Sequence, residues 1–321
     1  MKVIIKFTRK TEKMMTTKTR KTEKKMRTKS RFFTILNLLI LVLGIAGPTP
    51  AKEAKGGDAK HDSGDLTTKA TNTLGALIQL QLQNLYFPDS HNSSGYANTA
   101  YIQPVVPFDL GADSYFQSIV TRTTIPIVTT PKVNDNRVTG MGDITSIALL
   151  AHTSPGSQKG EFFTWAPIAA VVLPTASKDE TGADVWQLGP GLAGLTNQPL
   201  SNGDNVLLGA FGYHLWDVEG EDKDPDVSKT FAQPVIVYKF KSLFDQKGWY
   251  IRNPDDLWSY DWKEDEWDQI AVGAYLGKVF PIGKQPVNVF AGGWYNAADP
   301  DQGTAPKYTF KLSFSLLFPA N

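Results

Sequence analysis

Cysteine is absent from all 321 residues. That excludes a disulfide framework, a thiolate nucleophile, a cysteine-ligated metal and a lipid-modified cysteine anchor. Histidine is scarce: His61, His91, His152 and His214 are the whole complement, no two stand at metal-ligand spacing, and no G-x-S-x-G elbow occurs. The chain is therefore read as a non-enzyme with no catalytic residue, no metal and no cofactor. A Ser-His-Asp hydrolase built on His91, in His91-Asn-Ser-Ser-Gly95, or on His214 stays as a minor alternative, because such triads recur in unrelated chain orders. Beyond Gly47 there is no run of 18 apolar residues and hence no second helical span. Amphipathic helical periodicity is lacking too.

The chain opens on a concentration of positive charge. Residues 1–31 hold nine Lys and four Arg against Glu12 and Glu23, a surplus of eleven. An apolar run from Phe32 to Gly47 follows, broken only by Thr34 and Asn37, and then the small-residue stretch Gly47-Pro-Thr-Pro-Ala51. Charged, apolar and small-residue segments in that order make a secretory signal over 1–51, with Met26 an alternative start and an uncleaved anchor the competing reading. A nucleic-acid-binding arm is disfavoured because the basic stretch leads straight into hydrophobic sequence. Without its first 31 residues the chain carries ten net negative charges. Residues 52–72, rich in Lys, Asp, Gly, Ser and Thr and free of apolar periodicity, read as a flexible linker.

From there to the end, strand-like segments recur about every twenty residues. They are placed near 74–87, 98–108, 117–129, 140–152, 161–175, 185–196, 204–218, 228–241, 247–253, 268–281, 285–296 and 306–318, twelve in all. The last is the clearest: Tyr308, Phe310, Leu312, Phe314, Leu316 and Phe318 alternate with Thr309, Lys311, Ser313 and Ser315. The first repeats it, with Ile78, Leu80 and Leu82 against Gln79, Gln81 and Gln83. A period of two puts one parity on each face of a sheet, so each segment presents an oily face and a wet one. Twelve such segments of membrane-crossing length predict an all-β fold over 73–321, a closed antiparallel up-and-down transmembrane β-barrel. A soluble β-sandwich is the structural alternative.

Inward polar positions then become lumen-lining candidates: Gln79, Gln81, Gln83, His214, Lys311 and Ser313. Tryptophans lie toward strand ends, and Trp165, Trp186, Trp216, Trp249 and Trp294 are expected at the membrane interfaces, where an indole's apolar body and polar N–H are both satisfied. Glycines within strands (Gly189, Gly191, Gly209, Gly212, Gly273, Gly277, Gly292, Gly293) and Pro104, Pro167 and Pro234 point either to a strongly curved wall or to a lateral gap in it. Two acidic runs, 219–226 and 261–268, lack calcium-loop spacing and read as solvated loops.

Several phrases stand in a telling order: Gln103-Pro-Val-Val-Pro-Phe108, Gly140-Met-Gly-Asp-Ile-Thr145, Leu173-Pro-Thr-Ala176, Leu188-Gly-Pro-Gly191, Gln285-Pro-Val-Asn288 and Trp294-Tyr-Asn296. Together they resemble the bacterial outer-membrane family named for the MetA pathway of phenol degradation, transporter-like proteins some of which carry the label neuromedin U. The resemblance covers about Leu74 to Pro319. It implies a Gram-negative outer-membrane barrel, placed in lipid by the barrel assembly machinery and linked to uptake of aromatic or other hydrophobic compounds. Two features depart from it: the long basic leader, and the ending Pro319-Ala-Asn321 after Phe318, where barrels commonly finish on Phe. The expected function is a passive channel for small solutes. A structural or ligand-binding barrel with a filled lumen is the alternative.

Overall fold

The computed structural model describes residues 63–72, 74, 77–132, 135–218, 226–301 and 303–319. The expected signal segment lies outside the described residues. Among the described residues a helix, α1 (Ser63–Thr71), precedes fifteen strands: β1 (Leu77–Phe87), β2 (Ala97–Asp109), β3 (Ser118–Thr129), β4 (Thr139–Met141), β5 (Ile144–Pro155), β6 (Phe162–Leu173), β7 (Gln187–Pro199), β8 (Asn205–Asp217), β9 (Ser228–Lys239), β10 (Trp249–Arg252), β11 (Trp258–Asp261), β12 (Glu266–Gln269), β13 (Ala271–Ile282), β14 (Gln285–Asn296) and β15 (Tyr308–Pro319). Every pairing between them is antiparallel. Strand β1 pairs with β15, and β10 bridges β9 to β13, so the sheet closes on itself as a barrel of twelve staves. The expected twelve-stranded closed barrel is what forms. Its staves coincide with the sequence-based segments to within a few residues.

Closure matters because a sheet edge leaves a row of unpaired N–H and C=O groups. The ladder is long and regular from β13 through β15 and β1 to β9. Within its long strands it falters beside prolines, which lack a donor. Pairing skips two positions in each of β2–β3, β5–β6 and β7–β8, next to Pro104, Pro167 and Pro190.

The stave between β9 and β13 is different. Its lower part is the four-residue β10, against Val237–Lys239 of β9; its upper part is β11, against Lys229–Ala232. Between them the chain leaves the wall. Asn253 fills the break with its own amide: its backbone N–H donates to Ile236 O (3.1 Å), its Oδ1 accepts from Ile236 N (2.7 Å), and its Nδ2 donates to Pro234 O (2.8 Å). On the other side, Trp258 Nε1 donates to Ala271 O at 3.0 Å. The β11–β12 hairpin, not anticipated from sequence, stands beyond this break.

A second interruption sits between β4 and β5, at Gly142-Asp143. Asp143 Oδ1 accepts from the backbone N–H groups of Thr175 and Ala176 (3.0 Å each), and Oδ2 from that of Ala183 (2.7 Å). The carboxylate thereby ties the β6–β7 loop back over the wall, a structural role for the acidic residue of the Gly140-Met-Gly-Asp phrase.

Alternation sorts the faces. Outward positions include Ile78, Leu82, Ile102, Leu192, Leu208, Ile236, Leu276, Phe310 and Leu312, all among the exposed large apolar residues. Aromatic pairs gather at the two ends of this belt. Tyr115, Phe116 and Trp165 cluster with His152 at the end where β1 begins and β15 finishes, the terminal end, while Tyr86–Tyr96 and Tyr295–Tyr308 lie at the far end. Inward glycines make room for aromatic rings on the adjoining strand: a Cβ on Gly277 would meet the Tyr250 ring at 2.2 Å, and one on Gly292 would approach the Tyr275 ring at 2.7 Å. These glycines let large rings pack flat against a small, curved wall.

The terminal end of the interior is apolar. Leu77, Val120, Leu149, Leu195, Leu207, Val237 and Leu317 are buried there and form one cluster with Leu74 and Ala70 of the N-terminal segment. Residues 63–71, expected as part of a flexible linker, are instead helical and packed on β9 and β13. Weak intrinsic amphipathicity hid this helix, since the barrel interior provides its apolar partner. Residues 52–62 of that linker lie outside the described residues.

Because Asn253 replaces ladder hydrogen bonds with side-chain ones, Asn253→Ala is expected to destabilise the barrel by about 1–3 kcal/mol, the cost of leaving buried peptide groups unpaired. Urea unfolding in detergent, followed by the heat-modifiable gel shift, measures it. An unchanged midpoint would show that the break needs no stitch.

Candidate functional site

Above α1 the lumen opens into a cavity of about 540 Å3 whose floor includes Ala70, Thr71 and Asn72. One wall is a row of amides. On β1, Gln79, Gln81 and Gln83 all face inward; Gln81 Nε2 donates to Gln79 Oε1 (3.0 Å), Gln83 Nε2 to Gln81 Oε1 (2.8 Å) and to Gln103 Oε1 (3.2 Å), and Gln103 Nε2 to Thr124 Oγ1 (2.5 Å). Strand alternation alone sets the Gln parity. The chain of hydrogen bonds across β1, β2 and β3 follows from register.

Opposite runs a charged cluster. The segment leaving the wall after Asn253 turns Asp255 and Asp256 into the lumen, where Lys311 Nζ meets Asp255 Oδ1 at 2.6 Å and Asp256 Oδ1 at 3.5 Å, and Arg252 Nη1 meets Asp255 Oδ2 at 3.6 Å. Tyr275 donates its hydroxyl to Asp256 Oδ2 at 2.5 Å, and Tyr250 donates to Asn288 Oδ1 at 2.7 Å. The cations also lie over aromatic faces: Arg252 is 5.6 Å from the Phe290 centroid and Lys311 5.8 Å from that of Tyr275. A row of paired residues across neighbouring strands carries these groups: Arg252–Tyr275, Tyr275–Gly292, Gly292–Lys311 and Lys311–Leu85. Two carboxylates shared by two cations hold the inward segment against the β13–β15 wall.

The predicted lumenal residues divide. Gln79, Gln81, Gln83 and Lys311 line the cavity. Ser313 has the inward parity but is fully covered, and its Oγ has no hydrogen-bond partner among the described residues. His214 requires correction. It shares a parity with Leu208 and Trp216, opposite to the cavity-lining Tyr213, so it stands on the outer face, 4.2 Å from the Trp216 ring, with Nδ1 2.8 Å from Thr230 Oγ1. Its Nε2 lies 3.3 Å from Ser228 Oγ, and among the described residues neither ring nitrogen meets a carboxylate. His91 is tied into the far-end loops, its Nδ1 3.2 Å from Asp299 Oδ1.

Among the interface tryptophans, Trp165 and Trp249 take outward positions near the terminal end, Trp249 under Lys278 Nζ at 4.9 Å. Trp216 is outward near the far end, and Trp186 lies there just before β7. Trp294 is the exception: it is 5% exposed and lines the cavity, packed over Gly273. Proximity to a strand end suggested an interface residue; parity turned it inward. Asp255, Asp256, Arg122 and Arg252 escaped sequence reasoning, although Asp255-Asp256 flanking a Pro254 break could have signalled a departure from the wall. Among the described residues no cluster of potential metal ligands occurs.

No family model and no curated protein matches the chain. Among solved structures it is similar to the COG4313 outer membrane channel from Pseudomonas putida F1, at 12% identity and a TM-score of 0.52, over 83% of this chain and 100% of that one. At this identity the likeness establishes a shared barrel fold.

Lys311 is 5% exposed, so its removal takes from Asp255 its closer cation and from Asp256 its one cation among the described residues. Lys311→Met is expected to cost about 3–5 kcal/mol of stability, and adding Asp255→Asn with Asp256→Asn should restore much of it. A double-mutant cycle on urea midpoints tests this. Additive losses would show that the cluster is not coupled.

Proposed function

We propose that this protein is an outer-membrane barrel that acts as a passive channel for small solutes, with hydrophobic or aromatic compounds among them. The observation that carries this reading is the inversion of the barrel: a continuous apolar exterior with aromatic residues at both ends, enclosing a cavity lined by amides and charges. A water-soluble protein puts these faces the other way round. Support comes from the fold shared with a solved outer membrane channel, and from the sequence resemblance to the MetA-pathway family of phenol degradation. The basic leader over 1–51 agrees with export, and outer-membrane lipid and the assembly machinery would be its partners. Four of the five turns at the terminal end are shorter than the connections of nine or more residues at the far end, the shortest being Gly283-Lys284, with Gly283 at φ +60°. That asymmetry suits termini on the periplasmic side.

One observation favours a second reading, a ligand-holding barrel with an obstructed lumen. Helix α1 and the apolar cluster around it occupy the terminal end, and Lys239 Nζ donates to Thr68 Oγ1 (3.2 Å) and to Asn197 Oδ1. We read α1 as a stopper whose displacement opens the path.

Planar-bilayer recording decides between them. The channel reading expects measurable ion conductance, and a chain lacking residues 63–72 is expected to conduct several-fold more. Lys239→Met should raise the open fraction by loosening the helix. If neither the intact chain nor the shortened one conducts, and liposomes containing them admit no solute, the channel reading fails and the ligand-holding barrel remains.

A further inference from the structure

We propose that the lumen contains a binding site for a small aromatic carboxylate, a single ring bearing one anionic group, with Arg122 as its anchor. The proposal deepens the channel reading by giving the solute a chemical class. Whether the solute binds, however, does not depend on whether it crosses.

The first observation is an imbalance in charge pairing. Three cations line the cavity, Arg122, Arg252 and Lys311, and so do three carboxylates, Asp143, Asp255 and Asp256. Each carboxylate is already committed. Asp143 accepts three backbone N–H groups, Asp255 pairs with Lys311 and Arg252, and Asp256 takes Lys311 and the Tyr275 hydroxyl. Arg122 alone of the three cations has no ion pair among the described residues. Its guanidinium carbon lies 5.1 Å from the centroid of the Phe211 ring, and Asp255 and Arg252 act on it only through space.

A guanidinium in a confined, partly desolvated lumen attracts an anion strongly, because little water competes for its donors. Its planar fork fits the two oxygens of a carboxylate. The Phe211 ring packs against the guanidinium but accepts no conventional hydrogen bond, so the N–H donors are left for a partner.

The second observation is what surrounds the cation. Tyr213 and Phe231 are stacked with centroids 5.2 Å apart, and both line the cavity together with Tyr101. An aromatic solute would gain stacking and apolar contact there. The cavity volume, about 540 Å3, falls within the roughly 300–1,000 Å3 typical of small-molecule sites. An inorganic or aliphatic anion would meet the guanidinium and forgo the rings. A neutral aromatic would meet the rings and leave the guanidinium unpaired. An aromatic carboxylate satisfies both.

Calorimetric titration of the intact chain in detergent tests this with three probes: benzoate, benzyl alcohol and acetate. Benzoate is expected to bind about 10- to 100-fold more tightly than either of the others, the size of a charge-assisted pair expressed as affinity. Arg122→Gln should bring benzoate down to the level of benzyl alcohol, and Arg122→Lys, which keeps the charge without the fork, should fall between. Equal affinity for benzoate and benzyl alcohol, no detectable benzoate binding, or benzoate binding unaltered by Arg122→Gln would each overturn the site. Should the Gln variant not give a heat-modifiable barrel, the three-probe comparison on the unmodified chain decides. Benzoate binding without conductance would leave the site standing and the channel refuted; conductance without benzoate binding would do the reverse.

Discussion

Closure of the sheet is the constraint on which everything else here depends. A barrel surrounded by hydrocarbon has no water to satisfy an exposed edge, so each strand must find a partner on both sides. Ten staves meet the requirement with long strands, and an eleventh with β4 and β5 in succession. The twelfth, between β9 and β13, meets it with two short strands and the side-chain amide of Asn253. Replacing a mid-wall strand with a side chain frees a few residues of backbone to leave the sheet. Those residues, Pro254 to Leu257, supply the acidic half of the lumenal cluster.

Wall and lumen are therefore one construction. If β10 ran unbroken into β11, Asp255 and Asp256 would alternate across the wall, and one carboxylate would face the apolar exterior. With the segment turned inward both meet Lys311, and Arg252 at the last paired position of β10 completes the group. The glycines opposite have a matching purpose. Gly277 and Gly292 accommodate Tyr250 and Tyr275, and those rings pack beneath the inward segment, with the Tyr275 hydroxyl bonded to Asp256. Of the strand glycines, open in the sequence to either curvature or a lateral gap, Gly277 and Gly292 serve close packing of rings, whereas at Gly189, Gly209 and Gly273 an added Cβ would meet a carbonyl oxygen of the neighbouring strand; the break between β10 and β11 is bridged by Asn253 and Trp258.

Much of the scaffold was legible in advance because a barrel strand advertises itself by alternation. Tyr308 to Phe318 and Leu77 to Phe87 needed only their period of two to reveal which residues face in, and Gln79, Gln81, Gln83 and Lys311 followed from that. For Trp294, position along a strand was used in place of parity: it sits near a strand end but on the inward parity. His214 is a different case, since alternation already set it beside Trp216 and the polarity of the imidazole was weighed above that shared face, which is the outer one. Helix α1 and the β11–β12 hairpin were missed for a different reason. Neither has a strong local pattern, since each is stabilised by surfaces distant in the chain.

The sequence by itself determined the fold class, the stave boundaries, the inward amide row and the oily exterior, because these depend on local alternation and segment length. Tertiary structure alone decided which charges meet. Lys311 lies 56 residues from Asp255 and Arg122 still further away, so their company depends on the order in which staves close the ring and on the break between β10 and β11. Pairing between distant residues leaves no periodic trace in the chain, and for that reason neither the lumenal ion cluster nor an Arg122 without an ion pair among the described residues could be read from composition or spacing.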